Sequence, residues 1–322
     1  MNLISPNIEA YGSYARASAL ADFLELAALK GRTFTVADVS AYLQDNNWRL
    51  RDAFRRQVGS REVSATEVEV EEEPDVDDSP VESASEVFSQ GANRVVRLLE
   101  ERSTVLGKLY PFRLTDRGLI PRRNADTNPG PYQILLALTA AHAYQLEVPH
   151  DPKRLLERVV HRVVSRRGWL CADFANQRRS ASSFAGALDA VGNVVQLVID
   201  PLASSTSRAA QDAGVDTIAH FSWGDWRPGK WVVIGQVTCA KSDEWRAKLL
   251  EPSIPAWKRR FGEAPAVFLA VPHHIEPDHL RYLLDEAEGI VLDRLRMARH
   301  MPQPTREELA LTRAVLRSRV EA

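Results

Sequence analysis

The strongest constraint on the fold is a change of hydrophobic period in the last third of the sequence. Residues 214–221 and 231–239 are apolar stretches typical of strands, and a loop rich in Gly, Pro and Asp separates them. Two shorter apolar runs, at 266–271 and 289–293, also predict strands. Helical segments alternate with these strands at 243–250, 254–261 and 277–288. Because strands alternate with helices, the pattern predicts an α/β fold in which helices flank a sheet.

Further helices are predicted on either side of this region. Helical spacing of apolar residues indicates helices at 90–106, 132–146, 152–166 and 180–198. A last helix begins at Thr305, where Glu308 occupies the capping-box position. The segment 152–166 has one aliphatic face, and Arg recurs every fourth residue on the opposite face, at Arg154, Arg158, Arg162 and Arg166.

Acidic residues are concentrated in one segment. Between Glu62 and Asn93 there are 11 acidic residues and no Lys or Arg. Without them, 32 acidic residues remain against 41 basic ones, so the rest of the chain carries a net charge of +9. We predict that 62–86 is an acidic disordered linker, because such a composition buries too little apolar surface to fold. It is either a solvated spacer or a mimic of nucleic-acid charge that shields the basic remainder.

The acidic segment divides the chain into a small N-terminal unit, 1–61, and a main domain, 87–322. Within the first unit, helices are predicted at 13–30 and at 36–43, with Thr35 and Asp38 placed for a capping box. A third, basic helix is predicted at 48–56. Three short helices are consistent with a docking or dimerisation bundle, or with a winged-helix-like unit related to the helix-turn-helix.

Several classes of protein are excluded by composition. The chain has only two cysteines, Cys171 and Cys239, so a disulfide scaffold and a Cys-rich zinc module are excluded, and a reducing cytoplasm is expected. The first ten residues lack the features of a signal peptide, and no apolar run is long enough for a membrane span. The chain has no P-loop motif, so any ATP-driven step would come from a partner.

Two polar residues stand at informative positions on the predicted hairpin. Asp216 lies at the start of the first strand and Gln236 lies within the second. If the two strands pair, the carboxylate and the amide oxygen lie side by side, and both are ligands that Mg²⁺ prefers. A nearby Lys can activate water or balance phosphate charge. The pair therefore predicts a site for Mg²⁺ or Mn²⁺.

This arrangement resembles the PD-(D/E)XK, or restriction-endonuclease-like, nuclease superfamily. Gly214 and Asp216 match its Gly-x-Asp form, and Gln236 matches a Gln variant of the next motif. Thr238 stands where the motif Lys is expected, so Lys241 or Lys248 would have to replace it. The resemblance implies a core with a mixed central sheet flanked by helices, and a further acid from a preceding helix. Glu157 is the candidate for that acid.

The sequence also resembles a bacterial group of nuclease-like proteins tied to phage defence. The shared features are Gly235-Gln236 with a downstream Trp and Lys, a late Asp293-Arg294-x-Arg296, and Tyr110-Pro-Phe112. This resemblance implies an effector that works with other proteins, among them an ATPase, and that assembles as a homo-oligomer.

Plainer interpretations remain for some of these residues. Glu157 can form an ion pair with Arg154 or Arg158 on the surface of its own helix. His220 shares a strand face with Asp216, yet a single His is more often a packing residue than a ligand. His273 and His274 lack the spacing of a zinc site.

Basic residues cluster ahead of the predicted hairpin. Eight Lys or Arg lie between residues 153 and 179. Arg166, Arg167, Arg178 and Arg179 lie in or near loops, where they can hold backbone phosphates without reading sequence. We therefore predict a cytoplasmic, Mg²⁺-dependent endonuclease that hydrolyses DNA phosphodiester bonds. Three alternatives remain open: a catalytically degenerate subunit for DNA binding or complex assembly, an RNase effector, and a transcriptional regulator built on the N-terminal helices.

Overall fold

A computed structural model describes residues 3–50, 84–166, 168–200, 214–225, 227, 229–285 and 289–320. The helices in these ranges are α1 (Arg16–Ala28), α2 (Val36–Asp45), α3 (Ala84–Leu106), α4 (Pro131–Ala143), α5 (Pro152–Ser165), α6 (Phe174–Ser180), α7 (Phe184–Val195), α8 (Trp245–Leu250), α9 (Ile254–Phe261), α10 (Pro277–Leu284), α11 (Arg294–His300) and α12 (Arg306–Arg317). The strands are β1 (Leu3–Ile4), β2 (Phe112–Thr115), β3 (Gly118–Pro121), β4 (Trp169–Asp173), β5 (Thr217–Phe221), β6 (Val232–Val237), β7 (Ala266–Ala270), β8 (Gly289–Leu292) and β9 (Arg319–Val320).

The centre of the fold is a mixed sheet of five strands in the order β4-β5-β6-β7-β8. β5 runs antiparallel to both of its neighbours, whereas β6, β7 and β8 run parallel to one another. Two smaller pairings complete the strands: an antiparallel hairpin of β2 and β3, and a parallel contact of β1 with β9. The α/β prediction is confirmed, and the sheet is mixed.

Most predicted elements are present, with shifted ends. The predicted helix at 254–261 coincides with α9, and both predicted capping boxes form, at Thr35 and at Thr305. The helix predicted at 180–198 is α7, which begins later because the Ser183 side chain caps it by accepting from the Gly186 amide, and which ends at Val195. The short helix α6 before it was not predicted. The structure also contains β4, the β2–β3 hairpin and α11, which the sequence analysis did not predict.

Helices cover both faces of the central sheet, and alternation along the strands divides the core accordingly. On β7, Phe268 and Ala270 pack with α1, α3, α4, α5 and α11, whereas Val267 and Leu269 pack with α7, α8, α9 and α10. Gly235 of β6 faces Phe268 in register, and a Cβ at this position would overlap the Phe268 ring. The glycine before Gln236 is therefore required by close packing in the sheet.

The N-terminal helix α1 is part of the main core. Nearly all of its side chains are buried, including the carboxylates of Asp22 and Glu25, and it contacts α3. Arg102 of α3 lies between the two acids, at 2.8 Å from Asp22 and 3.0 Å from Glu25. Because each buried acid has a buried guanidinium beside it, the charges balance within the core.

The predicted division into domains stays a prediction. The boundary after residue 61 lies outside the described residues, as do most of the acidic segment 62–86 and the predicted third helix beyond residue 50. The described end of the acidic segment, residues 84–86, begins α3. In the described parts of the chain, no helix combines the length and the apolar character needed to cross a bilayer.

Candidate functional site

Asp216 lies immediately before β5, where the hairpin with β6 brings two chain segments together. Its amide donates to the Gly235 carbonyl at 2.8 Å, and its carboxylate Oδ2 accepts from the Val237 amide at 2.8 Å. Its own carbonyl accepts from the Ala175 amide at 2.9 Å. The Asp216 carboxylate is thus fixed at the end of the sheet where β5 begins and β6 ends.

Gln236 is brought beside Asp216 as the strand pattern predicts. Its side chain is buried, and its amide nitrogen donates to the Gly214 carbonyl. Gly214 has a φ of 62°, and a Cβ there would lie 2.7 Å from Gln236 Nε2 and 2.5 Å from Glu251 Cγ. A side chain at Gly214 would be strained in this conformation and would have to displace Gln236 or Glu251, which gives the Gly-x-Asp motif a physical basis.

Glu157 approaches the same place from α5 but is held by an arginine. Arg179 of α6 donates to both of its carboxylate oxygens, at 2.6 Å and 3.3 Å. The expected pairs within α5 do not form, because Arg154 faces Asp151 and Arg158 faces Glu307. Glu157 is therefore neutralised by a predicted phosphate-binding residue.

Lys248 of α8 is the lysine that the fold places near Asp216. Its ammonium group lies 2.8 Å from Glu251, and that hydrogen bond is the main reason its pKa is raised. A raised pKa keeps Lys248 protonated at neutral pH, which suits it to balance negative charge. Lys241 is exposed, and its charge contributes to lowering the pKa of Asp243. Thr238 Oγ1 accepts from the Ala240 amide.

Glu251 is a site residue that the sequence analysis missed. It is the C-cap residue that follows α8, and its side chain lies against Gly214, next to Gln236. Its spacing of three residues from Lys248 predicts an ion pair on a helix. The contact with Gly214 depends on how α8 packs and has no signal in the sequence.

The electrostatics of Asp216 reflect this crowding of acids. Burial is the largest influence and raises its pKa, and the nearby charges of Glu157 and Glu251 raise it further. The Val237 amide and Lys248 act in the opposite direction, and the resulting pKa is about 6. A carboxylate that is costly to ionise and lies among other acids gains from a bound cation.

The predicted phosphate-binding arginines lie at two ends of β4. Arg166 precedes the strand and donates to the Met301 carbonyl at 3.2 Å. Arg178 and Arg179 lie in the last turn of α6, which begins after Asp173. Arg167 lies outside the described residues.

The three histidines considered from the sequence, His220, His273 and His274, are all buried. His220 is fully buried and its Nδ1 lies 2.9 Å from the Phe221 carbonyl oxygen. His273 contacts the rings of Tyr11 and Trp245, and burial lowers its pKa to about 3. His274 Nδ1 lies 3.1 Å from Arg102 Nε.

The late motif residues lie in the core rather than at the site. Arg294 is fully buried and donates to Asp22, while Asp293 caps α11 through the Arg296 amide. Tyr110 donates to Glu25 at 2.6 Å. Arg294 and Tyr110 therefore join α1 to the main core.

Among the residues that the structure describes, no group of three or more His, Cys, Asp or Glu side chains is arranged to hold a metal ion. Comparison with protein-family models, curated proteins and solved structures found no match.

Proposed function

We propose that the chain is a metal-dependent nuclease with a restriction-endonuclease-like core, acting on DNA phosphodiester bonds. The observation that carries the proposal is the meeting of Asp216, Gln236 and Lys248 at one end of the sheet, with Glu157 and Glu251 close enough to raise the pKa of Asp216. Asp216, Gln236 and Lys248 come from the start of β5, from β6 and from the helix that follows, which is the order that the resemblance implies.

The donor set suits Mg²⁺ even without a cluster of three acids. Mg²⁺ is usually bound through one or two carboxylates, with water and substrate phosphate completing its coordination. Asp216 would supply the carboxylate. Gln236 would supply its amide oxygen, because its nitrogen is already bonded to Gly214. Glu157 would contribute after release from Arg179.

A bound Mg²⁺ would supply Lewis-acid stabilisation of the phosphate and a more acidic water. The residues of the chain would orient the metal-binding carboxylate and balance negative charge at the site. The Val237 amide donates to the Asp216 carboxylate, and the charge of Lys248, whose ammonium group contacts Glu251, lowers the pKa of Asp216. Arg179, paired with Glu157, can exchange that partner for a substrate phosphate, since guanidinium binds both groups in the same geometry.

The test is cleavage of supercoiled, linear and single-stranded DNA, and of RNA, with Mg²⁺ or Mn²⁺. We compare the wild type with Asp216→Asn, Gln236→Ala and the control Asp189→Asn, which alters an exposed acid on α7. Losses of about 100-fold or more in the first two variants, with the control unchanged, would support the site. Equal cleavage by all four proteins would reject it, and RNA cleavage without DNA cleavage would favour the RNase.

A degenerate subunit that only binds DNA or assembles a complex is the second candidate. Two observations favour it: Thr238 replaces the motif lysine, and Arg179 already neutralises Glu157. Calorimetry with Mn²⁺ separates the two. Binding that disappears in Asp216→Asn supports the nuclease, whereas DNA binding without Mn²⁺ binding supports the degenerate subunit.

We place this activity in bacterial anti-phage defence, in a homo-oligomer with partner proteins that include an ATPase. This setting rests on the resemblance alone. Co-purification of the chain with proteins from its own host would test it.

A further inference from the structure

An exposed aromatic cluster lies at the far end of the β5–β6 hairpin from Asp216. Trp223 and Trp231 are 60% and 66% exposed, although large aromatic side chains are usually buried. Their ring centroids are 6.0 Å apart, and Phe221 lies 5.2 Å from Trp223 and 6.0 Å from Trp231. A contiguous group of exposed aromatic rings is a candidate binding surface.

Hydrogen bonds anchor the described residues around these rings, chiefly through Lys230. The Lys230 ammonium group donates to the carbonyls of Asp225 at 2.6 Å and Gln196 at 2.9 Å, and the Lys230 amide donates to Glu263 at 2.9 Å. The Phe221 amide donates to the Trp231 carbonyl at 3.1 Å. These hydrogen bonds hold described residues next to Trp223 and Trp231, which lowers the entropy cost of binding a ligand.

The cluster continues onto the edge strand of the sheet. Trp169 of β4 pairs with Phe221 in register, and the two rings are 6.1 Å apart. β4 is an end strand of the sheet, and its five residues span about 17 Å. Its other end, Asp173, pairs with Thr217, the residue after Asp216. The edge strand thus links the aromatic cluster to the candidate site.

Arginines lie near both ends of this edge. Arg166 lies three residues before Trp169, and Arg227 lies between the two exposed tryptophans; both are exposed. Arg178 and Arg179 follow the other end of β4. The acids near the aromatic cluster are Asp225, which accepts from the Arg227 amide, and Glu263.

We propose that Phe221, Trp223 and Trp231 form a stacking site for unpaired nucleic-acid bases. The sugar-phosphate backbone of the bound nucleic acid would then run along β4 toward Asp216. Aromatic rings beside basic side chains are the usual means of binding single strands without sequence preference, because every base has a π-face. The path toward Asp216 rests on the proposed nuclease function. The stacking site itself does not.

The experiment measures binding of a labelled oligothymidylate of about 12 nucleotides by fluorescence anisotropy, in EDTA so that no metal-dependent cleavage occurs. The proteins are the wild type, Trp223→Ala, Trp231→Ala, Trp223→Phe and the control Leu109→Ala, which removes an exposed apolar residue elsewhere. We expect each tryptophan-to-alanine change to weaken binding about tenfold. Trp223→Phe should keep most of the affinity, and the control should bind as the wild type does.

Equal affinities in all five proteins would overturn the proposal. So would equal losses for a matched duplex, because the site would then not select unpaired bases. Failure of the wild type to bind any oligonucleotide, with tryptophan-dependent capture of a protein, would make the cluster a protein-docking surface instead. Binding is measured without metal, so the two proposals can fail separately. A protein that binds the oligonucleotide but does not cleave supports this site and contradicts the proposed nuclease. A protein that cleaves but does not bind in this assay supports the nuclease and contradicts this site.

Discussion

The Arg294 guanidinium donates two hydrogen bonds, of 2.6 Å and 2.5 Å, to the Asp22 carboxylate, which lies 272 positions away in the sequence. Both side chains are buried. Arg294 also donates to the Pro272 carbonyl at 2.8 Å and to Thr139 at 3.0 Å. The first helix of the chain is thereby joined to the segment after the last strand of the central sheet.

Replacing Arg294 with Met should lower the free energy of unfolding by about 3–5 kcal/mol, because the change leaves the Asp22 charge buried without its main partner. The measurement is urea unfolding followed by circular dichroism. Arg313→Met is the control, since Arg313 is an exposed residue of α12. Equal losses in the two variants would show that the ion pair has no special role.

Acid should remove the stabilisation that the Asp22 charge provides. Burial raises the pKa of Asp22, but Arg294 and Arg102 outweigh burial and bring it to about 2. The unfolded value is about 3.9, so the stabilisation is full above pH ~4 and is lost as the pH falls through about 2.

The stability advantage of the wild type over Asp22→Asn should therefore shrink by about 2–3 kcal/mol as the pH falls from 6 to 2. Thermal unfolding across that range measures it. A constant difference between the two proteins would contradict the assigned pKa.

Asp216→Asn should stabilise the metal-free protein at pH 8 and leave it nearly unchanged at pH 4. The folded pKa of Asp216, about 6, lies above the unfolded value of about 3.9, so ionisation costs stability progressively as the pH rises between them. The expected gain at pH 8 is about 1–3 kcal/mol. Thermal unfolding in EDTA measures it, and Asp189→Asn should show no such pH dependence.

If the chain is the proposed nuclease, Lys248→Met should reduce its activity about tenfold or more, whereas Lys241→Met should leave it close to the wild type. The two variants are a matched comparison, because Lys248 lowers the pKa of Asp216 whereas Lys241 lowers the pKa of Asp243. Initial rates of plasmid cleavage measure both. A larger loss in Lys241→Met would assign the charge-balancing role to that residue instead.

Much of the fold follows from local patterns. The helices at α5 and α9 and the strands at β6 and β7 lie close to their predicted positions, because hydrophobic period and caps act over a few residues. β4 was missed because its five residues are short and follow a helix with a stronger pattern. α6 was missed because its seven residues are short and mostly polar, so they show no apolar face at helical spacing.

The candidate site was predicted in part. Asp216 and Gln236 were found because strand alternation places them together, and Gly214 carried a recognisable spacing. The choice of Lys248 over Lys241 required the position of α8 against the sheet. The pairing of Glu157 with Arg179 required the position of α6 against α5.

The sequence by itself determined the alternation of strands and helices and the two polar residues on the β5–β6 hairpin, because both depend on neighbours a few positions apart. Only the tertiary structure decided the partners of Asp22, the place of Glu251 and the exposure of Trp223 and Trp231. Those features depend on which distant segments pack together. Burial and the contacts between charges are set by that packing, which no local pattern encodes.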